Sequence, residues 1–398
     1  MRVLVVMRGA PGAGKSTFIN KMGWDQFKIS PDEIRLMFEG PVMDSKTGRL
    51  GISQAHDRDV WKLAMEFLQQ RMERGEFIVF DATNSKSQDF AKYKKLIEQY
   101  NYRAYCVDFS NVPLETCLKQ NRGRLNTTTP QKYVPEDVIE NIYSRMKTQP
   151  VPGYFKVLSP DEKVCREMIM ENKKRDLNDY EKIVVIGDIH GCYEPLKNYF
   201  NEHPFSEKNF YIFLGDYIDR GIQNVEVLEF LSTIYDKPNV LLLEGNHEKW
   251  IKEWSRGDYD VELATGIKDK CRSSEFFNHT SKQLENFDKK TVRMICRKLA
   301  QLAYITFDGK DYFITHAGVG HLPENFVFVS TNAFIRPKDY CEPVDEWFEE
   351  NHGESNLYQI HGHRNPLLIP ANKYLHSINL CDEVEFGKDL RILEISKD

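Results

Sequence analysis

The sequence predicts an α/β chain in two parts, a parallel-sheet domain over residues 1–150 and a second sheet domain over 181–398, joined through 151–180. Three observations lead there. Short apolar, β-branched runs alternate with helical patterning along the first 121 residues. Three later runs, Ile183 to Ile186, Phe210 to Leu214 and Val240 to Leu243, each end in a short signature rich in Asp, Asn and His. Pro and Gly concentrate at Gln149-Pro150-Val151-Pro152-Gly153, the best boundary in the chain. At 398 residues the chain also exceeds one typical domain.

Val3 to Met7 reads as the first strand, and the helix after it, through about Met22, opens with Gly9-Ala10-Pro11-Gly12-Ala13-Gly14-Lys15-Ser16. This is a complete nucleotide phosphate loop, whose glycines let backbone N–H groups cradle phosphates at a helix N-terminus. Gly9, Gly12, Gly14 and Thr17 frame it, Lys15 reaches the terminal phosphates of ATP, and Ser16 can hold Mg²⁺. A short strand, Phe27 to Ser30, leads to Asp32-x-x-Arg35, an acid and a base sharing one helical face. A long helix over 57–75 and a buried strand over 77–80 follow, the strand ending in Asp81-Ala82-Thr83-Asn84. Helix 88–99, strand 103–109 and helix 113–121 continue the alternation. Asn121-Arg122-Gly123-Arg124 and the polar run through Pro130 read as a lid, with Arg122 and Arg124 both suited to phosphate contact. Ser159-Pro160-Asp161-Glu162 then caps a charged connector helix expected to run to about Arg175.

In the second part the three signatures are Gly187-Asp188-Ile189-His190-Gly191, Gly215-Asp216-Tyr217-Ile218-Asp219-Arg220-Gly221 and Gly245-Asn246-His247-Glu248. Each sits at the C-terminal end of a strand, where open α/β sheets place their ligand sites. Carboxylates and neutral imidazoles are the ligands that a pair of divalent cations needs, with one carboxylate placed to bridge. Thr315-His316-Ala317-Gly318 and Gly362-His363 follow further strand-like runs and complete the ligand count, with His361 competing with His363. Residues 249–300 read as a helical insertion that sets substrate access.

From about Lys182 onward these motifs resemble the metallophosphoesterase superfamily, in the branch shared by serine/threonine protein phosphatases and symmetrical diadenosine tetraphosphatases. The resemblance implies a calcineurin-like β-sandwich with flanking helices. It implies a first metal on Asp188, His190 and Asp216 and a second on Asp216, Asn246, His316 and His363, with Mn²⁺ expected. It also implies His247 as general acid, oriented by Asp219, and Arg220 as the phosphate grip. The phosphate loop, Asp32/Arg35, Asp81/Thr83 and the Arg lid together resemble the P-loop 5′-OH polynucleotide kinases of phage and bacterial repair. That likeness implies Asp32 as general base, Arg35 on the acceptor phosphate, Asp81 and Thr83 shaping the acceptor site, and Arg122 closing on ATP. Relatives that join both modules end in an Ile-Asp-Thr-Gly type strand. Here the place reads Ser377-Ile378-Asn379-Leu380-Cys381-Asp382, so Asn379 stands where Asp is expected and Asp382 is a possible substitute.

The implied function is nucleic-acid end healing: 5′-phosphorylation of RNA or DNA ends, and removal of a 3′-phosphate or opening of a 2′,3′-cyclic phosphate. No Lys-x-Asp-Gly occurs, so ligation is expected from a separate enzyme. The alternative is a protein or diadenosine polyphosphate phosphatase with an NTP-binding regulatory domain. Composition agrees with either. Residues 1–150 hold 23 Lys and Arg against 18 Asp and Glu, and the remainder 31 against 42, so only the front half is mildly basic. Eight cysteines without Cys-x-x-Cys spacing read as reduced thiols of a cytoplasmic protein. No run approaches the ~18 apolar residues of a membrane span.

Overall fold

The computed structural model describes residues 1–397 apart from 44, 46–47, 127–131, 171–173, 258–274, 337–341 and 365–372. Two compact units emerge: Met1–Asn172 with Asn325–Thr331, and Lys173–Glu324 with Asn332–Asp398. No described helix is long and apolar enough to cross a membrane.

The first unit runs β1 (Val3–Arg8), α1 (Lys15–Lys21), β2 (Lys28–Ile29), α2 (Pro31–Phe38), β3 (Val42–Met43), β4 (Leu50–Gly51), α3 (Asp57–Glu73) and β5 (Phe77–Phe80). It continues through α4 (Ala91–Tyr100), β6 (Arg103–Asp108), α5 (Leu114–Gly123), α6 (Glu136–Thr148), β7 (Lys156–Leu158) and α7 (Glu162–Cys165). Five parallel strands lie in the order β2-β5-β1-β6-β7. Both sheet faces are covered, which is why β1 is apolar without alternation. Val3, Val5 and Met7 pack with Phe18, Ile19 and Ile139, while Leu4 and Val6 pack with Val60, Ala64, Leu68 and Tyr93. Each such fully buried side chain contributes roughly 1.5–3 kcal/mol.

Two expectations need correction here. The first unit does not end near residue 150. Strand β7 adds to its sheet, and Phe155, Leu158, Cys165 and Ile169 are buried in its cores. The connector helix also stops short of Arg175. Asp161 caps α7 by accepting from the Val164 N–H at 2.9 Å, and a π-turn over Arg166–Met170 follows. Arg175 itself lies in β8 (Arg175–Asp176), because pairing with Ile305 and Thr306 overrides the charged local pattern. Asn325–Thr331 joins the first unit too, with Phe328 stacked 4.6 Å from Phe27.

The second unit is an α/β sandwich. Its strands are β8, β9 (Lys182–Ile186), β10 (Asn209–Phe213), β11 (Val240–Leu242), β12 (Ala303–Phe307), β13 (Lys310–Ile314), β14 (Leu357–His361), β15 (Ser377–Asn379) and β16 (Ile392–Ser396). One sheet is ordered β11-β10-β9-β16 and the other β15-β14-β13-β12-β8. Ile183, Val185, Phe210 and Ile212 meet Ile305, Phe307, Ile314 and Ile360 between the sheets. Val184, Ile186, Tyr211 and Phe213 instead face the helical side, α8 (Tyr193–Glu202), α9 (Asn224–Ile234) and α10 (Glu248–Arg256). Because β9, β10 and β11 are mutually parallel, their C-terminal ends share one edge, and the three signatures emerge there.

Candidate functional site

At that edge Asp188, His190, Asp216 and His316 are all buried. Two groups of side chains bring ligand atoms within 4.8 Å of one another: His190, Asp216 and His247, and Asp216, His316 and His363. Asp216 belongs to both, as a bridging carboxylate must. Its Oδ2 lies 3.6 Å from His190 Nε2 and 3.3 Å from His316 Nε2. His316 Nε2 also lies 3.2 Å from both Asn246 Oδ1 and His363 Nδ1. Donors bound at about 2.0–2.1 Å to one tetrahedral cation stand about 3.4 Å apart, so these spacings fit. Asp188 lies beside both groups, its Oδ2 accepting from the His363 N–H at 2.7 Å and its Oδ1 3.7 Å from His316 Nδ1.

The electrostatics point the same way. Burial disfavours a charged His316, yet Asp216 and Asp188 outweigh it and push its pKa up to about 9. Burial and the charge of His316 push His363 down to about 2. Two imidazole lone pairs facing each other need a proton or a cation between them. Burial opposes ionisation of Asp216, but His316 and His247 hold its carboxyl well below the usual range. Asp188 Oδ1 and His190 Nδ1 are buried with no hydrogen-bond partner among the described residues. The donor set therefore fits divalent cations.

The backbone is bent to make this cluster. His190, Asp216, Asp219, Arg220 and His363 all have left-handed φ, from 45° to 82°, which non-glycine residues adopt only where their surroundings hold them. Gly362 is required because a Cβ there would run into Asp188 Oδ1. His316 Nδ1 lies 3.0 Å from the Leu214 carbonyl, which accepts its proton and turns Nε2 to the cluster. His361 is excluded from it: one ring nitrogen lies 3.0 Å from Asp345 Oδ1 and the other 2.9 Å from the Gly362 carbonyl.

His247 sits beside His190, their ring centroids 4.9 Å apart. Its Nδ1 lies 2.8 Å from Oδ2 of the fully buried Asp219, whose Oδ1 accepts from the Thr280 hydroxyl at 2.7 Å. Burial works against a protonated His247, but Asp216 and Asp219 outweigh it and raise its pKa. Arg220 is ion-paired to Glu385 at the rim. Asn379 is buried and spends its side chain on the Arg364 carbonyl and the Cys381 N–H, while Asp382 pairs with Arg391 at 2.9 Å. Glu385 is the acid that pairs with Arg220.

Thr280 and Asn224 carry no sequence signal, and Glu248 appears only as the last residue of the third signature. Thr280 belongs to the 249–300 insertion, of which 258–274 lie outside the described residues. Asn224 accepts from the Asp219 N–H at 2.7 Å. Glu248 accepts from the N–H groups of Asp216, Tyr217 and Gly245, tying two signatures together, and burial pushes its carboxyl up to about 7. Only its place directly after His247 was a hint.

In the first unit Gly14 takes φ 98° and α1 begins at Lys15. Lys15 Nζ donates to the Gly9 and Ala10 carbonyls at 2.7 and 3.2 Å, and burial lowers its pKa. Ser16 donates to Asp81 at 3.4 Å, and Gly9 N–H donates to the Thr83 carbonyl at 3.1 Å. A cavity of about 1030 Å³ is lined by Lys15, Ser16, Asp32, Arg35, Asp81 and Thr83 among others. Ser30 caps α2 and Pro31 starts it, so Asp32 and Arg35 fall one turn apart and pair at 2.6 Å. A smaller cavity of about 200 Å³ holds Gly12, Gly14, Thr17 and Gln120. Arg124 lines both cavities. Arg122 lines neither: it forms a surface fork with Glu136 at 2.6 and 2.7 Å, so of the two arginines only Arg124 faces the phosphate-loop cavities.

Comparison with known proteins agrees with this division. Residues 181–393, more than half of the chain, match the calcineurin-like phosphoesterase family. The chain belongs to that family. Residues 4–149 match the AAA domain. The phosphoesterase part is 31% identical over 193 residues to serine/threonine-protein phosphatase 2 of Escherichia coli, covering 48% of this chain and 79% of that protein. It is 46% identical over 68 residues to serine/threonine-protein phosphatase PP1-delta of Caenorhabditis elegans, covering 17% of this chain and only 22% of that protein. Among solved structures, the Pnkp1/Rnl/Hen1 RNA repair complex aligns over 74% of this chain and 92% of that chain, at 16% identity and a TM-score of 0.31. A phosphoesterase of this family uses divalent metals, and the clustered carboxylates and imidazoles offer them a place.

Proposed function

We propose that this phosphoesterase is a bifunctional nucleic-acid end-healing enzyme. Its first unit moves the γ-phosphate of ATP·Mg²⁺ to 5′-OH ends of RNA or DNA, and its second removes a 3′-phosphate or opens a 2′,3′-cyclic phosphate. The observation that carries the reading is the 1030 Å³ cavity, which joins the phosphate-loop Lys15 and Ser16 to Asp32, Arg35, Asp81 and Thr83. A bare nucleotide sensor needs the loop but no carboxylate aimed at an acceptor. Asp32 takes the 5′-OH proton after leaving Arg35, which turns to the acceptor phosphate. Lys15 and Arg124 neutralise the transferring phosphoryl group.

In the second unit Asp188, His190, Asp216, Asn246, His316 and His363 would hold two divalent cations, Mn²⁺ being expected, which when bound supply charge neutralisation and an activated water. Arg220 orients the phosphate through its guanidinium fork. His247, held by Asp219, gives its proton to the departing oxygen. The two products, a 5′-phosphate and a 3′-OH, are what a separate ligase consumes.

A second reading, a protein or diadenosine polyphosphate phosphatase with an NTP-binding regulatory domain, is favoured by the naming of the Escherichia coli relative as a protein phosphatase. Incubation with γ-labelled ATP and 5′-OH RNA and DNA strands separates the two. Label on the 5′ ends, lost in Asp32→Ala with ATP binding retained, supports end healing. Wild-type enzyme that binds ATP and labels neither strand supports the regulator.

A further inference from the structure

Glu385 lies far in sequence from every signature, yet its carboxylate is ion-paired to Arg220. The Glu385 side chain is 3% exposed against 41% for Arg220, so the acid is the fixed member of the pair. Its second oxygen, Oε2, is buried and has no hydrogen-bond partner among the described residues. Burial opposes its ionisation, but His190 and Arg220 outweigh that and hold the carboxyl below its usual range. Residues 384–386 form one 3₁₀ turn between Glu383 at φ 54° and Gly387 at φ 82°, so two left-handed residues bracket the acid. Arg220 itself follows Asp219 in a doubly left-handed turn, φ 82° then 66°. Both partners are therefore set by constrained backbone, while Asn379 accepts from the Cys381 N–H and Asp382 pairs with Arg391.

We propose that Glu385 is a positioning residue for phosphoester hydrolysis, fixing the Arg220 guanidinium so that its remaining N–H groups face the phosphate. Arginine offers five donors in a rigid fork, and a carboxylate that occupies one edge leaves another preset for a second anion. Losing Glu385 removes a buried, fixed anchor from the guanidinium, and the phosphate then has to do more of the ordering. The effect falls on binding of the phosphate more than on bond breaking. The proposal rests on Arg220 contacting the phosphate, but not on the nucleic-acid reading.

The test uses full-length, metal-loaded enzyme, p-nitrophenyl phosphate as substrate and inorganic phosphate as competitive inhibitor. Glu385→Gln is expected to raise KM and the phosphate inhibition constant together by about fivefold while kcat falls less than about twofold. Glu385→Asp should recover part of the loss. In the Arg220→Ala background, Glu385→Gln should add nothing, because the acid acts only through the arginine. A Glu385→Gln enzyme with unchanged KM and inhibition constant overturns the proposal, as does a further loss in the Arg220→Ala background. If Arg220→Ala alone leaves KM unchanged, the premise about Arg220 has failed instead. Thermal unfolding of each variant guards against misfolding, and a Glu385→Gln protein that unfolds early while Glu385→Asp folds and keeps wild-type KM also counts against the proposal.

Discussion

Asp219→Asn isolates one charge at the centre of the phosphoesterase site. The amide can rotate so that its oxygen still accepts from His247 Nδ1, where Asp219 now stands at 2.8 Å. Its NH₂ then donates to the Thr280 hydroxyl, which reverses its role in the 2.7 Å contact. Geometry and tautomer survive and only the negative charge is lost. Hydrogen bonds to charged groups contribute about 1.5–3 kcal/mol and neutral ones about 0.5–1.5, so the protonated ring loses on the order of 1–1.5 kcal/mol. That corresponds to about a tenfold fall in kcat where proton donation limits the step. The assay compares an alkyl phosphate, whose leaving oxygen needs the proton, with p-nitrophenyl phosphate, whose leaving group does not. The expected result is about a tenfold loss on the alkyl ester and less than about twofold on the aryl ester. Equal losses on both would refute the assignment of His247 as proton donor held by Asp219.

Lys15→Ala should abolish ATP binding measured by calorimetry and leave p-nitrophenyl phosphate hydrolysis intact, since Lys15 and the metal cluster belong to separate units. Arg124→Ala should slow phosphoryl transfer by about 10–10³-fold, the low end of the range for charge-stabilising arginines being expected because Lys15 remains. Arg122→Ala, which breaks only a surface fork, should change it less than about threefold. Chelation followed by dialysis should remove hydrolysis, and Asp216→Ala, which strips a ligand from both groups, should hold less metal by elemental analysis.

What the chain reveals by reading alone follows from locality. The glycine–aspartate signatures act within a few residues of the strands that carry them, so β9, β10 and β11 and their ligands were visible, and the phosphate loop likewise. The resemblance picks His363 of the Gly362 pair, but the physical reason that His361 stays out, Asp345 occupying it from 16 residues away, is not in the local sequence. Thr280 reaches Asp219 across 61 residues and Glu385 reaches Arg220 across 165, and neither sits in a pattern that announces it. Arg122 and Arg124 are equivalent by sequence, and only the position of Glu136 one helix later draws the first to the surface. The connector helix is the opposite case: a strongly charged local pattern gives way to sheet pairing at Arg175. Tertiary partners, not propensity, decided each of these.

The most direct test of two opposed phosphate chemistries in one chain is mass-spectrometric mapping of both ends of a cleaved RNA. The substrate carries 5′-OH and 2′,3′-cyclic or 3′-phosphate termini and is incubated with ATP and Mn²⁺. The expected products are 5′-phosphate and 3′-OH, with Asp32→Ala blocking only the first change and Asp216→Ala only the second. Termini that stay unphosphorylated at the 5′ end with wild-type enzyme, on RNA and on the matching DNA, would contradict it.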